Sequence, residues 1–280
     1  MRLRSLLFVP GDRPERFAKA AASGADAIIL DLEDSVAPAA KDDATQAVAD
    51  WLASPREVSA FVRINPVDSG RLAADLAVAR SADGIVLPKA EGCVTVGAVV
   101  EHAGEACPPI LPIATETPCA LFVLGDYRAV KAHLCGLTWG AEDLPAAIGA
   151  LTAREPDGRY TAPYEMVRAL ALFGAHAAGV AAIETVYPAI RDSDGLAAYA
   201  QRGARDGFTG MMAIHPSQVP VINAAFSPDA EAIAAAHAVV EAFARQPGAG
   251  AIQLEGRMVD LPHLKQARGL LARAGEPERG

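Results

Sequence analysis

The chain has 280 residues, 51% of them hydrophobic, with 34 acidic against 25 basic side chains and a formal net charge of −9. That length and apolar content can bury a large core, as two small domains or as one α/β barrel. The acidic balance argues against a nucleic-acid surface, which needs clustered lysine and arginine, and no apolar run approaches the roughly 20 residues that cross a bilayer.

In chain order the pattern alternates. Arg2 and Arg4 followed by Leu6 to Val9 look superficially like a secretory leader. The apolar run is too short, however, and leads into Gly11-Asp12-Arg13-Pro14 without a small-residue cleavage site, so Arg4 to Val9 reads as a first strand. Pro14 to Ser23 follows as a helix, Ala27 to Asp31 as a strand, Lys41 to Leu52 as a helix and Phe61 to Ile64 as a third strand. Leu72 to Ala79 is helical, Gly84 to Leu87 a strand, and Val94 to Ala103 helical. Ile110 to Thr115 and Gly136 to Gly140 are two more strands, joined by a helix-like spacing over Ala120 to Val130. The helix Pro163 to Ala178 leads to a strand at Ala181 to Glu184, and the helix Gly195 to Arg205 to a strand at Met211 to Ile214. Eight short strands separated by helices describe a (β/α)8 barrel. The doubly wound open sheet is the runner-up. It requires a Gly-x-Gly-x-x-Gly turn that Pro10-Gly11-Asp12-Arg13-Pro14 does not supply.

In such a barrel the chemistry sits just after the strands. Asp31, Glu33 and Asp34 follow the second strand, Arg63 and Asn65 end the third, and Lys89 and Glu91 follow the fourth. Glu116 and Asp143 follow the fifth and sixth, Glu184 ends the seventh, and His215 follows the eighth. Any one of these could be a helix cap or a loop ion pair; their coincidence describes an acid-rich mouth with basic residues in it. Glu116 and Asp143, two hard oxygen donors beside small residues, suit Mg²⁺, which takes one or two carboxylates and keeps its other positions for water and substrate. The competing reading is that both acids merely cap the helices that follow. Cys93, Cys107, Cys119 and Cys135 show no C-x-x-C spacing and no histidine pairing, so no zinc site or disulfide framework is indicated and a reducing cytoplasm is expected.

Six segments resemble one family: Leu7-Phe8-Val9-Pro10-Gly11, Asp31-Leu32-Glu33-Asp34, Val62-Arg63-Ile64-Asn65, Leu87-Pro88-Lys89-Ala90-Glu91, Gly140-Ala141-Glu142-Asp143-Leu144 and Ile214-His215-Pro216-Ser217-Gln218. Their order and spread over nearly the whole chain resemble the citrate lyase β-subunit-like branch of the HpcH/HpaI aldolases. The resemblance implies a TIM barrel, assembled as a homotrimer, and Mg²⁺-dependent making or breaking of a carbon–carbon bond between a 2-oxo acid and an acyl thioester. It implies Glu116 and Asp143 as metal ligands, and Arg63 with the backbone of Gly140 and Ala141 as the 2-oxo acid site. It also implies a barrel over residues 1–225 and a helical extension over 226–280 that packs on a neighbouring subunit and completes its active site. Gly256-Arg257-Met258-Val259-Asp260-Leu261-Pro262 fits the family's C-terminal carboxylate motif, which makes Asp260 the candidate acid or base in trans; locally it also reads as the N-cap of a helix from Pro262.

Under that resemblance Glu33, and less directly Asp34, would hold metal-bound waters, and Arg13, Lys41 and Lys89 would meet CoA phosphates. Three departures bear on carrier and substrate: Thr45 stands where many members have arginine, Met211 where many have lysine, and Glu184 where aspartate is common. The expected activity is a stand-alone lyase acting on citramalyl-CoA or malyl-CoA. Its competitors are a citryl-thioester lyase subunit working with an acyl carrier protein, and a non-catalytic metabolite-binding barrel.

Overall fold

The computed structural model describes residues 1–276, in which residues Leu3–Asn223 form one compact unit and the chain from Ala224 onward a second. In the first unit eight parallel strands make a barrel: β1 (Ser5–Pro10), β2 (Ala27–Asp31), β3 (Ser59–Arg63), β4 (Gly84–Leu87), β5 (Ile110–Pro112), β6 (Gly136–Thr138), β7 (Ala181–Glu184) and β8 (Gly210–Ala213). The hydrogen-bonded order runs β5-β4-β3-β2-β1-β8-β7-β6. The seam between β5 and β6 is closed by parallel bridges Ile110–Leu134 and Ile113–Thr138, with the Ala114 amide donating to the Thr138 carbonyl at 2.9 Å.

These strands are short apolar runs because both faces are covered: all five residues of β2 and all four of β4 are buried. Inside the barrel, Leu6, Ala27, Ile29, Phe61, Val86 and Leu111 form one packed cluster. Gly84 has its place there for want of a side chain, since a Cβ on it would lie 2.2 Å from the Phe61 ring. The helices are α1 (Phe17–Ala21), α2 (Lys41–Leu52), α3 (Leu72–Ala79), α4 (Gly92–Ala103), α5 (Asp143–Ile148), α6 (Ala162–Ala178), α7 (Ser193–Asp206) and α8 (Val219–Ala225). On α2 the buried positions Ala44, Val48 and Leu52 recur every four residues, the stripe its sequence spacing calls for.

One expected helix is different. Residues from Cys119 to His133 form two 3₁₀ segments, Cys119–Phe122 and Leu124–His133, with a non-helical kink at Val130. Gly125 and the β-branched Val123 and Val130 weaken the α form, and Tyr127, fully buried, ties the segment down by donating to the Ala90 carbonyl at 3.0 Å. The periodicity in this stretch is real, but its period belongs to the tighter helix.

The second unit holds α9 (Ala230–Ala244), the antiparallel strands β9 (Ala251–Leu254) and β10 (Arg257–Asp260), and α10 (Leu261–Ala274). Helices α9 and α10 share a core of Ala236, Val240, Ala267 and Leu271. The β9–β10 turn is Glu255-Gly256, with φ of 50° and 79°, the positive pair a tight two-residue hairpin demands.

Candidate active site

The register of β2 on β3 sets Asp31 opposite Arg63, and from that pairing the site is built. Arg63 donates from Nε to Asp31 Oδ1 at 2.7 Å and from Nη2 to Asp31 Oδ2 at 2.6 Å, a bidentate clamp, while Nη1 lies 2.9 Å from Glu33 Oε2. Its guanidinium also stacks 4.9 Å above the Phe8 ring. Burial alone would raise the Asp31 carboxyl, yet the Arg63 bonds outweigh it and hold the group below the ordinary carboxylate range. Glu33 goes the other way: burial lifts it, only partly opposed by Arg63 and Lys89. Lys89 donates from Nζ to Glu33 Oε1 at 2.6 Å.

Lys89 has a left-handed backbone, φ 48°, unusual for a residue with a side chain. That conformation serves two bonds at once, because the Lys89 amide donates to Glu116 Oε2 at 2.6 Å while its ammonium reaches Glu33. Glu116 is 4% exposed; burial first, then the nearby charges of Glu33 and Asp143, push its carboxyl up to about 8. Gly140 faces it, and a Cβ there would stand 2.8 Å from Glu116 Cγ. Thr115 Oγ1 fixes that glycine by accepting from its amide and donating to its carbonyl, both at 3.1 Å.

Glu116, Asp143, Arg63, Gly140 and Ala141 line one cavity of about 160 Å³, so these sequence-expected residues share a common space. The rest of the wall is Asp34, Glu142, Phe8, Ile113, Thr185, Val186 and Met212; the last five were given no role from sequence, because uncharged residues at strand ends look like any core position. The charge balance is uneven. Arg63 answers Asp31 and Lys89 answers Glu33, whereas Glu116 and Asp143 meet no ion-pair cation among the described residues, and their mutual repulsion helps to push Glu116 up. A divalent cation with oxygen preference fits that pair, and a two-carboxylate seat suits Mg²⁺, which keeps waters and substrate in its other positions. Among the described residues no three His, Cys, Asp or Glu side chains come together as a closed metal cage.

Other expected site residues fall elsewhere. Asp34 lies on the cavity rim, 3.7 Å from Lys89 Nζ. Lys41 Nζ is directed inward, donating to the carbonyls of Leu32 and Glu33 at 2.8 and 3.0 Å and to Asn65 Oδ1 at 2.6 Å; it holds the loop after β2 and has no donor left for a carrier phosphate. Lys89 is tied to Glu33 but remains about a third exposed, and Arg13, half exposed beside Asp12, is the most open of the three expected phosphate contacts. Glu184 is not part of the mouth: it is fully buried, accepting from Trp139 Nε1, Tyr199 OH and its neighbour's amide on Oε1 and from Arg168 Nε on Oε2. His215 caps the turn at Pro216–Gln218 by accepting from the Ser217 amide at 3.2 Å. Asp260 does the same for α10, accepting from the His263 amide at 3.4 Å and pairing with the His263 ring. Asp31, whose clamp orients Arg63, was placed at the mouth by its position at the end of the second strand but was given no role of its own from sequence.

Among the described residues no helix is long and apolar enough to cross a membrane. Residues 4–216 match the HpcH/HpaI aldolase/citrate lyase family. The chain is 41% identical over 272 residues to a citrate lyase subunit beta-like protein of Mycobacterium tuberculosis, covering 96% of this chain and 95% of that one. It is 33% identical over 282 residues to a (3S)-malyl-CoA thioesterase of Cereibacter sphaeroides, covering 97% and 94%. The structure of CitE from Mycobacterium tuberculosis in complex with magnesium, acetoacetate and coenzyme A superposes with a TM-score of 0.83 at 38% identity, covering 98% of this chain and 99% of that chain. The chain belongs to the HpcH/HpaI aldolase/citrate lyase family, a family of Mg-dependent lyases acting on CoA thioesters and oxo acids.

Proposed function

We propose that this chain cleaves a 3-hydroxyacyl-CoA thioester of the citramalyl-CoA or malyl-CoA type into a 2-oxo acid and acetyl-CoA, or runs the reverse condensation. The observation that carries the reading is the Glu116–Asp143 pair, which meets no ion-pair cation among the described residues and lies on the wall of a cavity that also holds the clamped Arg63. Magnesium with acetoacetate and coenzyme A in the CitE structure supports it. Glu116 and Asp143 would hold Mg²⁺, which when bound supplies Lewis acidity toward the oxygens of a 2-oxo acid.

Cleavage removes the substrate's hydroxyl proton and breaks the bond between the carbinol carbon and the carbon next to the thioester. The bonding pair stays on the acetyl fragment as an enolate, which then takes up a proton. Arg63, always charged and held from behind by Asp31 and Glu33, keeps part of its donor fork for an oxygen in the cavity and compensates charge there without reorganising. Glu33 acts through Arg63 and Lys89, whose positions it fixes. Gly140 and Ala141 bring backbone, not side chains, against the substrate.

The proton step at the acetyl carbon falls to Asp260 of a neighbouring subunit in a homotrimer, delivered by the second unit, and Arg13 is the candidate for a CoA phosphate. The residue boundary of that arrangement is residues 1–225 for the barrel and 226–280 for the extension, and Pro277 to Gly280 are outside the described residues. The alternative is a citrate lyase β-subunit working with an acyl carrier protein, which the likeness to a citrate lyase subunit beta-like protein keeps in view.

The test is to incubate the purified chain with Mg²⁺ and a panel of hydroxyacyl-CoA thioesters and assay both 2-oxo acid and free thiol. Release of a 2-oxo acid with acetyl-CoA supports the lyase. Free thiol without a 2-oxo acid would indicate a thioesterase instead, and activity appearing only with a carrier-protein complex would indicate the subunit. Asp260→Asn is expected to lose about 10² to 10⁴-fold in turnover with metal binding kept; normal turnover would remove Asp260 from the chemistry.

A further inference from the structure

The Asp31–Arg63 clamp sits where its part of the sheet runs out. β2 and β3 end at that pair, and a last ladder bond follows it, from the Leu32 amide to the Arg63 carbonyl at 2.9 Å. Beyond it the twist of the sheet separates the two chains, so their exits need other ties. Asp31 is pinned partly by its own loop: the Glu33 amide donates to Oδ1 at 2.9 Å and the Ser35 amide to Oδ2 at 3.3 Å. One side chain ties that loop to the exit of β3. Lys41, at the first position of α2, spends its three donors on the Leu32 and Glu33 carbonyls at 2.8 and 3.0 Å and on Asn65 Oδ1 at 2.6 Å.

Asn65 is held in turn from behind. It follows Arg63 by two residues, is buried, and gives both its backbone N–H and its Nδ2 to Asp75 Oδ2 at 2.8 Å. Asp75 is a fully buried carboxylate on α3. Its ion pair with Arg71 is long, at 4.0 Å, and Arg71 is itself engaged by Asp42 at 2.7 Å. Burying an acid against so distant a cation is costly, and what it secures is the pair of Asn65 bonds. Acid, amide and ammonium stand in a row, and the row joins the two strand exits that carry the clamp.

We propose that Asp75, Asn65 and Lys41 are positioning residues for the active site: they fix the exits of β2 and β3, and through them the geometry in which Asp31 and Glu33 present Arg63 to the cavity. None of the three lines the cavity itself. The inference rests on the reading of Arg63 as a substrate-binding residue and extends it to a second layer of side chains. A guanidinium aimed by two carboxylates is only as well placed as the loops those carboxylates stand on.

The test is Lys41→Met, which keeps the apolar stem and removes all three donors, with Asn65→Ala as the second variant should the first not fold. In the full-length protein with Mg²⁺ and citramalyl-CoA, kcat/KM is expected to fall by about 10 to 100-fold, while Mn²⁺ affinity, set by Glu116 and Asp143, stays within about twofold. Made in the Asp31→Asn background, the same substitution should cost less than about threefold more, because both changes act on one guanidinium. A tie that served the fold alone would multiply with Asp31→Asn. That result, or wild-type kinetics in Lys41→Met, would overturn the proposal.

If no thioester yields a 2-oxo acid, the lyase reading fails, and the inference is decided without catalysis. The Nε proton of Arg63, held on Asp31 Oδ1 at 2.7 Å, is followed by hydrogen exchange in NMR spectra of the full-length protein. In Lys41→Met it is expected to exchange faster by about tenfold or more, with the backbone amides of β2 unchanged. Equal exchange of that proton in the two proteins, or a speed-up shared by the β2 amides, would refute the assignment.

Discussion

Two polar clusters stand at the strand ends of this barrel, and they have opposite electrostatic designs. Around Glu184 at the end of β7, both carboxylate oxygens are answered: Trp139, Tyr199 and the Thr185 amide meet Oε1, Arg168 meets Oε2 at 2.7 Å, and Arg168 in turn meets Asp206 at 2.8 Å. Around Glu116 the acids outnumber the bases, and the buried carboxyl faces a cavity instead of a partner cation. A saturated cluster holds the fold; an unsaturated one is built to accept something from outside. Similar residue types at equivalent strand ends thus take structural and functional roles according to whether their charges close.

Neutralising one member of each cluster should separate the two roles. Glu116→Gln is expected to lower turnover by about a thousandfold or more, from several kcal/mol of lost charge stabilisation, while thermal unfolding without metal stays put or moves up because a repelled carboxyl is gone. Arg168→Ala should do the reverse. Glu184 is left fully buried without its cation, which costs about 3–5 kcal/mol and lowers the melting temperature by on the order of 10 °C. Activity per folded molecule should persist, and equal loss in both assays would erase the distinction.

Asp31→Asn is expected to act between these extremes, reducing kcat/KM by about 10 to 100-fold with much of the loss in KM, as Arg63 loses one side of its clamp. Normal kinetics in that variant would show that Arg63 needs no positioning. The last test is a pH trend. The Glu116 carboxyl rises from an ordinary 4.5 to about 8 on folding, so between those values the folded chain binds more protons than the unfolded one. Stability of the metal-free protein should therefore fall as pH climbs through that window, and saturating Mg²⁺ should flatten the slope; a metal-free melting temperature that rises from pH 5 to 8 would contradict the assignment.

The contrast also explains what the sequence made legible. Strand positions were plain because β2 and β4 are unbroken apolar runs, and Lys41–Leu52 because its buried residues keep helical spacing. Glu116, Asp143 and Arg63 were found because polar groups at strand ends in a barrel share one mouth. Glu184 passed the same filter, and Lys41 was expected to meet CoA phosphates, yet both are engaged inside the fold, since position in sequence does not reveal whether a polar group is already spent. Asp31 was placed at the mouth but given no role for the complementary reason: its importance lies in the β2–β3 register, which pairs it with Arg63 and cannot be read from either segment alone. The kinked 3₁₀ stretch at Leu124–His133 escaped because its anchor, Tyr127 to the Ala90 carbonyl, spans distant parts of the chain.

The central claim is that Glu116 and Asp143 together seat a divalent cation. Mn²⁺, titrated into the metal-free protein and followed by its electron paramagnetic resonance signal, tests this without any substrate. One binding site per chain is expected, displaced by Mg²⁺, and abolished both by Glu116→Gln and by Asp143→Asn. Undiminished Mn²⁺ binding in both variants would contradict the account.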